Sequence, residues 1–196
     1  MYLMKTIIIV CFLSLFFSCD QANTTVQSSS EIIGDTLKAA EPTSIAPEPK
    51  IQPQLNHGEK INTADVQPQS LIAFAETLIN TPYKYGSTDP AVGFDCSGFI
   101  THVFNHFDIK VPRSSRDFEF AGNDVPLSES KPGDLILFTG TDSTDRTIGH
   151  MGIIIKADGT TIDFIHSSSG KAYGVVVTPL NGYYMGRFVK VIRVFG

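Results

Sequence analysis

Cysteine is scarce in this chain, which has only three among its 196 residues. Cys11 lies in an N-terminal apolar stretch, Cys19 directly follows that stretch, and Cys96 stands alone in the remainder. The scarcity excludes the disulfide framework that small exported domains build from several spaced cysteines. A lone thiol in an exported protein is open to oxidation, so its presence calls for a chemical reason, and catalysis is one such reason.

Basic residues are also few, with 15 Lys and Arg against 20 Asp and Glu, which gives a formal net charge of −5. No cluster of Lys and Arg stands out, so the sequence lacks the electrostatic footprint that nucleic-acid binding requires. Internal repeats are absent as well, and we find no second folded unit. These absences favour one acidic globular domain with no nucleic-acid partner.

The apolar run from Thr6 to Phe17 is too short for a spanning helix, which needs about 20 residues. It follows the single charge of Lys5, and this pattern predicts a secretory signal peptide in residues 1–18. The segment Phe16-Phe17-Ser18-Cys19 resembles the bacterial lipobox, which implies that Cys19 becomes a lipidated N-terminus. The alternative is an ordinary signal peptide with an incidental cysteine.

Residues 19–68 show no sustained apolar periodicity and are rich in Ser, Thr, Gln and Pro. Such a segment buries too little apolar surface to offset the entropy lost on ordering. We therefore predict a lipidated N-terminus and a disordered tether over 19–68, followed by one folded domain over 69–196.

Helical patterns precede strand patterns in residues 69–196. Apolar spacing predicts a helix over 70–80, a second helix from its N-cap Asp95 to Phe107, and a short helix between Pro112 and Gly122. Runs of β-branched and aromatic residues then predict strands at 134–139, 150–156, 161–166, 175–179 and 188–195. This order is typical of an α+β domain in which N-terminal helices pack on an antiparallel sheet of five to six strands.

Cys96 lies at the predicted first turn of the second helix, where it shares a face with Ile100, Val103 and Phe107. The thiol therefore points toward the sheet rather than into solvent. The positive end of the helix dipole favours the thiolate, and the free N–H groups of the first turn are natural oxyanion donors. The alternative is a buried cysteine that serves only as a small packing residue.

Two histidines are predicted to meet on adjacent strands. His150 opens one strand and His166 closes the next, and Asp158-Gly159 between them is a strong hairpin signal. Antiparallel pairing of the two strands brings those ends together. A thiol, a histidine base and a third group that orients the histidine together make the arrangement of a cysteine nucleophile.

Several ordered segments resemble the NlpC-type cell-wall peptidases, a family within the papain-like cysteine peptidases. The matching segments are Pro82-Tyr83-Lys84-Tyr85-Gly86, Phe94-Asp95-Cys96-Ser97-Gly98-Phe99, Val111-Pro112-Arg113-Ser114, Lys131-Pro132-Gly133-Asp134-Leu135-Ile136, Gly149-His150-Met151-Gly152-Ile153, Phe164-Ile165-His166-Ser167, Tyr183-Tyr184 and Arg187-Phe188. Within the family, the chain is most similar to the lipid-anchored murein endopeptidases of Gram-negative envelopes.

The resemblance implies a permuted papain-like fold and a Cys-His-His triad. Cys96 would be the nucleophile, His150 the general base and His166 the residue that orients His150. Two positions depart from the family pattern: Ser87 replaces the second glycine of a Gly-Gly pair, and Phe118 replaces a glutamine. The second change predicts an altered wall of the substrate cleft.

Three further residues have implied roles at the same site. Tyr83 matches a family tyrosine that lies near the thiol and assists substrate or oxyanion binding, while Asp95 and Ser97 flank the nucleophile and are candidates for substrate contact. His102 and His106 have the spacing of a helical metal pair, but they lie off the face of Cys96. We therefore predict no metal and no cofactor.

The resemblance, the export signal and the predicted anchor together favour a cysteine endopeptidase that hydrolyses peptidoglycan stems or cross-links. Such a hydrolase would lie in the bacterial cell envelope, attached by lipid to the outer membrane and facing the periplasm. Two alternatives stay open: an amidase that cuts the glycan–peptide bond, and a catalytically silent wall-binding lipoprotein. The triad does not separate endopeptidase from amidase, because the choice of bond depends on the cleft.

Overall fold

A computed structural model describes residues 54–196, so the predicted signal peptide and the predicted lipidation of Cys19 lie outside the described residues. The elements are α1 Pro68–Thr77, β1 Thr88–Asp89, β2 Gly93–Phe94, α2 Cys96–Asn105, β3 Asn123–Val125, β4 Leu135–Thr139, β5 Ile148–Ala157, β6 Ile162–Ser168, β7 Gly174–Pro179, α3 Gly182–Arg187 and β8 Phe188–Arg193. Two 3₁₀ helices, Ser115–Phe120 and Leu127–Glu129, flank β3. Within residues 54–196, every helix is too short or too polar to pass through a bilayer.

The main sheet has six strands in the order β3-β8-β4-β5-β6-β7, and each neighbouring pair is antiparallel. The predicted α+β class and the antiparallel sheet of five to six strands are confirmed. The strand that sequence reasoning missed is β3, whose three residues are too few to show an alternating pattern. A separate two-stranded hairpin of β1 and β2 leads directly into α2.

The two faces of the main sheet bury different apolar sets. Alternate residues of β5 divide as strand parity predicts, since Met151 and Ile153 face the cluster that contains α1 and α2, whereas Ile154 faces the opposite cluster. Helix α2 contributes Phe99, Ile100, Val103 and Phe104 to the first cluster, all fully buried. Tyr184 of α3 covers the second cluster. The thiol-bearing helix is therefore fixed against one face of the sheet.

The ordered domain begins before the predicted boundary at residue 69. Ile61 is buried, and its N–H donates to the carbonyl of Ala121 at 2.8 Å. Leu55 packs at the edge of the same core, and its N–H donates to the carbonyl of Val111. These contacts involve isolated apolar residues without helical or strand periodicity, which is why the pattern did not reveal them.

Strands β5 and β6 form the predicted hairpin, and Gly152 allows their close approach beside His166. Ile153 pairs with Ile165 in this ladder. A Cβ on Gly152 would lie 2.7 Å from Cδ2 of Phe164 and 3.2 Å from Cβ of His166. Both neighbours are fully buried and have no room to move away.

Gly152→Ala should therefore lower the free energy of unfolding by about 1–3 kcal/mol, the usual effect of overpacking a core. Urea unfolding monitored by circular dichroism measures the change. Gly182→Ala is the matched control, because a Cβ there meets nothing within 4 Å. Equal unfolding midpoints for the two variants would contradict this packing argument.

Candidate active site

The thiol of Cys96 is presented by the start of α2. Asp95 is the N-cap of this helix, with extended backbone angles, and its carboxylate accepts a hydrogen bond from the N–H of Gly98. This bond satisfies one of the first-turn N–H groups, which have no partner inside the helix. The predicted N-cap is confirmed, and Cys96 becomes the first helical residue.

The same carboxylate joins three segments of the chain. Its Oδ2 accepts from the N–H of Gly86 at 2.8 Å and from Nη2 of Arg113 at 2.9 Å. Nη1 of Arg113 donates to Oγ of Ser97 at 2.9 Å, and Asp95 and Ser97 are both buried. Because both carboxylate oxygens already accept bonds, Asp95 holds the helix start in place. Direct contact of Asp95 or Ser97 with a substrate stays a prediction.

Arg113 belongs to a family motif, but the sequence alone assigns it no role. Its bidentate ion pair with Asp95 joins residues 18 positions apart, and no periodicity signals such a pair. The short motif Val111-Pro112-Arg113-Ser114 is the one sequence feature that could have pointed to this ion pair. Two guanidinium donors on one carboxylate give a directional, charge-assisted contact.

Gly98 allows a loop to lie directly on the first turn of α2. A Cβ at this position would lie 2.0 Å from the carbonyl oxygen of Ser87, a backbone atom that cannot move aside. The Gly86-Ser87 loop is thus held against the helix start, where it forms part of the cleft beside the thiol. Any larger residue after Cys96-Ser97 would clash with this loop, which explains the glycine at position 98.

A cleft of about 370 Å³ opens over the half-buried thiol, and we call it the thiol cleft. Its lining residues are Tyr83, Tyr85, Gly86, Asp95, Cys96, Ser97, Arg113, Ser114, Ser115 and Gly149. Tyr83 is fixed by a backbone hydrogen bond to Tyr173 and by ring contact with it at 5.6 Å. The structure therefore brings Tyr83, Asp95 and Ser97 to the same cleft as Cys96.

Phe118 does not form a wall of this cleft. Its side chain is fully buried in the main core, on the 3₁₀ helix that follows the Arg113 segment. The expectation that a phenylalanine here reshapes the cleft wall is wrong. An aromatic side chain at this position instead adds to the apolar surface that packs under the sheet.

The surroundings of Cys96 favour the protonated form of its thiol. Burial, followed by the negative charge of Asp95, raises the pKa of the thiol to about 11. The N–H groups of Ser97 and Cys96 and the charge of Arg113 act in the opposite direction. The expected stabilisation of the thiolate by the helix start is present but outweighed, because the sulfur is shielded from solvent and the N-cap carboxylate lies beside it.

The two predicted histidines form a hydrogen-bonded chain. Nε2 of His150 lies 2.9 Å from Nδ1 of His166, and Nε2 of His166 lies 3.0 Å from Oγ1 of Thr178 on β7. His166 is fully buried, whereas His150 is half-buried. Thr178 was missed by sequence reasoning, because a threonine in a strand carries no signal of its own.

Both imidazoles are neutral at physiological pH. Burial, the neighbouring His166 and the positive charge of Arg187 hold the pKa of His150 well below its usual range. Burial and Arg187 lower the pKa of His166 to about 4. If His150 donates from Nε2 to His166, its Nδ1 is left as an unprotonated nitrogen that can accept a proton.

The thiol of Cys96 contacts the residue that precedes His150 in β5. Sγ of Cys96 lies 3.8 Å from the carbonyl oxygen of Gly149, the residue just before His150. Within residues 54–196 this carbonyl is the hydrogen-bond partner of the thiol. Contacts between a nucleophile and its base commonly tighten only when substrate binds. The arrangement combines a protonated thiol, a neutral base and free first-turn N–H groups.

The helical pair His102 and His106 packs against aromatic residues. The ring of His106 stacks on Phe74 at 3.6 Å between centroids, and His102 lies 5.0 Å from Phe94. Within the described part of the chain, no group of three or more His, Cys, Asp or Glu side chains is arranged to hold a metal. The pair serves to pack α1 on α2.

The pKa values predict an unusually broad pH profile for hydrolysis. We expect kcat/KM to rise on a limb below pH 6.5, where His150 loses its proton and becomes a base. The falling limb should lie near pH 11, where the thiol ionises. Initial rates from pH 4 to about 11.5, with circular dichroism to verify folding, test this profile. A falling limb near pH ~8.5, the value of an ordinary thiol, would contradict it.

Comparison with known proteins places this site in a family. The NlpC/P60 family model matches residues 80–194. The probable endopeptidase NlpC of Escherichia coli is 34% identical over 117 residues, which cover 58% of this chain and 70% of that protein. The gamma-DL-glutamyl hydrolase of Bacillus subtilis is 34% identical over 137 residues, which cover 69% of this chain.

The structural comparison agrees with the sequence match. An NlpC/P60 family protein from Bacillus cereus superposes with a TM-score of 0.59 and 26% identity, over 67% of this chain and 41% of that chain. The present chain spans 32% of the length of the B. subtilis hydrolase, so the likeness concerns one domain of that relative. The chain thus belongs to the NlpC/P60 family, whose named members include endopeptidases and peptidoglycan hydrolases.

Proposed function

We propose that this chain is a cysteine endopeptidase that hydrolyses amide bonds in the peptide stems or cross-links of peptidoglycan. The observation that carries the proposal is the placement of Cys96 at the start of α2, in a cleft that reaches Gly149, the residue before the hydrogen-bonded His150–His166–Thr178 chain. Family membership and the name of one relative, a probable endopeptidase, support the hydrolase class, and the name of a structural neighbour, a peptidoglycan hydrolase, supports the wall substrate.

Catalysis begins with transfer of the thiol proton from Cys96 to Nδ1 of His150. Sγ attacks the amide carbonyl carbon, a C–S bond forms, and the oxyanion accepts bonds from the N–H groups of Cys96 and Ser97. Collapse of this intermediate breaks the C–N bond, and the imidazolium of His150 gives its proton to the leaving amine. Transfer from a protonated thiol suits the raised pKa of Cys96.

The second half of the reaction regenerates the enzyme. His150 takes a proton from water, the hydroxide attacks the thioester, and the C–S bond breaks as the carboxylic acid product leaves. The proton then returns from His150 to Sγ. His166 is a positioning residue in both halves, because its Nδ1 lies 2.9 Å from Nε2 of His150 and, as the acceptor of that hydrogen bond, would fix the imidazole tautomer.

Among the bonds of the stem, the γ-glutamyl linkage is favoured by the names of two relatives. One is a gamma-DL-glutamyl hydrolase and another is a bifunctional muramidase and DL-endopeptidase, both from B. subtilis. A γ-linked glutamate joins its neighbour through a side-chain carboxyl group.

The cellular location proposed for the enzyme is the cell envelope, with the lipid on Cys19 in the outer membrane and the domain in the periplasm. Its support is the resemblance of residues 16–19 to a lipobox. Mass spectrometry of the mature N-terminus in membrane fractions tests it. A diacylated or triacylated Cys19 is expected, and an unmodified soluble chain would contradict the anchor.

Digestion of purified peptidoglycan by the full chain tests the activity itself. Muropeptides released by the wild type, and not by Cys96→Ala, should carry new amine and carboxyl ends within the stem, and their masses name the bond. Release of whole stems from the glycan would instead identify an amidase. No release by folded wild-type protein from walls of several stem types would overturn the proposal and favour a silent binder.

A further inference from the structure

The ring of His166 is held at both of its nitrogens. Nδ1 lies 2.9 Å from Nε2 of His150, and Nε2 lies 3.0 Å from Oγ1 of Thr178 on β7. The rest of the buried ring packs against Phe164 and Tyr184, whose ring centres lie 4.8 Å and 5.5 Å from its own. Within residues 54–196, the hydrogen-bond partners of this imidazole are therefore His150 and Thr178.

The register of the sheet explains how Thr178 reaches His166. His166 pairs with Val176 between β6 and β7, and Thr178 follows two positions later, on the same face of the sheet. Diagonal neighbours of this kind lie within reach of long side chains. Because threonine is β-branched, few rotamers are open to it in a strand. The hydroxyl is therefore held at a fixed place beside the imidazole.

This chain of hydrogen bonds can run in either of two directions. The pKa of His166 is lowered to about 4, so its ring is neutral at physiological pH and has one N–H and one bare nitrogen. In the first direction, His150 donates to Nδ1 of His166, whose Nε2 donates to Thr178, and Nδ1 of His150 stays bare. In the second, Thr178 donates to Nε2 of His166, whose Nδ1 donates to His150, and the proton of His150 lies on its own Nδ1.

The two directions differ in whether His150 can act as a base. Only the first leaves Nδ1 of His150 free to accept the thiol proton. The charged intermediate requires the same direction, because the imidazolium of His150 carries a proton on Nε2 as well and needs a bare Nδ1 on His166. The proton of His166 then lies on its Nε2, and Oγ1 of Thr178 is the oxygen placed to accept that hydrogen bond.

Thr178 lies where a hydroxyl oxygen can accept without confining its own hydrogen. β7 is the outer strand of the main sheet, and Thr178 is half-buried on it. Its O–H can donate to water while its oxygen accepts from His166, which satisfies both capacities of the hydroxyl. Thr178 does not line the thiol cleft, so any effect on the reaction passes through the two histidines.

We propose, on the basis of the function above, that Thr178 is a positioning residue that selects the tautomer of His166 and, through it, the tautomer of His150. The reacting series then has four members, Cys96, His150, His166 and Thr178, and the threonine sets its direction from the far end. Without the oxygen of Thr178, Nε2–H of His166 has no acceptor in a buried place, and the first direction loses its advantage.

Thr178→Val tests the effect on turnover, because valine keeps the branched shape and lacks the oxygen. We expect kcat of the full chain for a defined muropeptide to fall about tenfold, as the loss of one hydrogen bond implies, with KM close to the wild-type value. Thr178→Ser retains an oxygen and should restore most of the lost kcat. Thr161→Val is the matched control, since it removes a hydroxyl that bonds to Asp158 in the turn of the β5–β6 hairpin, and it should keep the wild-type kcat.

Nitrogen-15 NMR of the imidazole rings reads the direction of the chain without turnover. A bare ring nitrogen and an N–H nitrogen have well-separated chemical shifts, and five histidines give few signals, which comparison with His150→Ala assigns. In the wild type, His150 and His166 should both be protonated at Nε2. Thr178→Val should move part of the His166 population to the Nδ1–H form, whereas Thr178→Ser and Thr161→Val should not.

The outcomes separate this inference from the proposed function. A wild-type His166 that carries its proton on Nδ1 would overturn the inference, whether or not any variant folds. Wild-type kcat in Thr178→Val, or a loss of kcat with unchanged tautomers, would reduce Thr178 to a packing residue. The expected tautomers, altered by Thr178→Val in a chain that cleaves no peptidoglycan, would support the inference and overturn the peptidase.

Discussion

Cys96→Ala should lower the rate of peptide hydrolysis by roughly 100,000-fold or more, the usual result of removing a catalytic nucleophile. Without Sγ no thioester forms, and the remaining oxyanion donors and bound peptide give little acceleration by themselves. Hydrolysis of a defined muropeptide, followed by chromatography over days, measures the change.

The control for this variant is Cys19→Ala, which replaces a cysteine of the predicted N-terminal segment and leaves residues 54–196 unchanged. Assayed in detergent solution, it should retain the wild-type rate. Thermal unfolding of Cys96→Ala should match that of the wild type, because alanine removes only a half-buried sulfur. A folded Cys96→Ala protein that keeps more than about a hundredth of the wild-type rate would refute the role of this thiol, since nucleophile removal costs far more.

His150→Ala should lower kcat/KM by about 1,000-fold, because both proton transfers of the acylation step depend on this imidazole. His150 is neutral because burial, His166 and Arg187 all lower its pKa. The loss should persist across the whole pH range, since no other histidine lines the thiol cleft among the described residues.

His57→Ala is the matched control for this second variant. His57 is exposed, pairs with Asp117 at 3.3 Å, and does not line the thiol cleft. It should keep the wild-type kcat/KM. A His150→Ala variant that is as active as His57→Ala would exclude His150 as the base and leave the His150–His166 pair with a packing role only.

The local elements of this site follow directly from sequence patterns. Asp95 predicts the start of α2 because a carboxylate can accept from first-turn N–H groups, and the structure has that bond. Asp158-Gly159 and strand parity predict that His150 and His166 meet, and the two rings lie within hydrogen-bond distance. These features depend on residues that are close in sequence or in the register of one hairpin.

The missed features depend on contacts between distant segments. Arg113 reaches Asp95 across 18 positions, and Arg187 reaches the carbonyl of Gly140 across 47 positions. Helix α3 has only six residues, two of them glycine, so it shows no apolar period. No local pattern encodes such pairings, so they are visible only in three dimensions.

The ionisation of the thiol illustrates the same limit. A helix start favours the thiolate in isolation, but burial and the carboxylate of Asp95 reverse the direction of the pKa shift. The sequence contains both the helix and the carboxylate, yet their relative effect depends on how deeply the sulfur is buried. That depth is a property of the packed α2 and β5, not of either segment alone.

Covalent labelling of the nucleophile tests the central claim most directly. A substrate-like γ-glutamyl peptide whose scissile amide is replaced by a chloromethyl ketone should alkylate the active thiol, with an Sγ–CH₂ bond formed and chloride released. After complete inactivation, peptide mapping by mass spectrometry should find one adduct, on Cys96, and the rate of labelling should fall when substrate is present. Full activity of a chain labelled on Cys96, or inactivation with the adduct on another residue, would contradict the account.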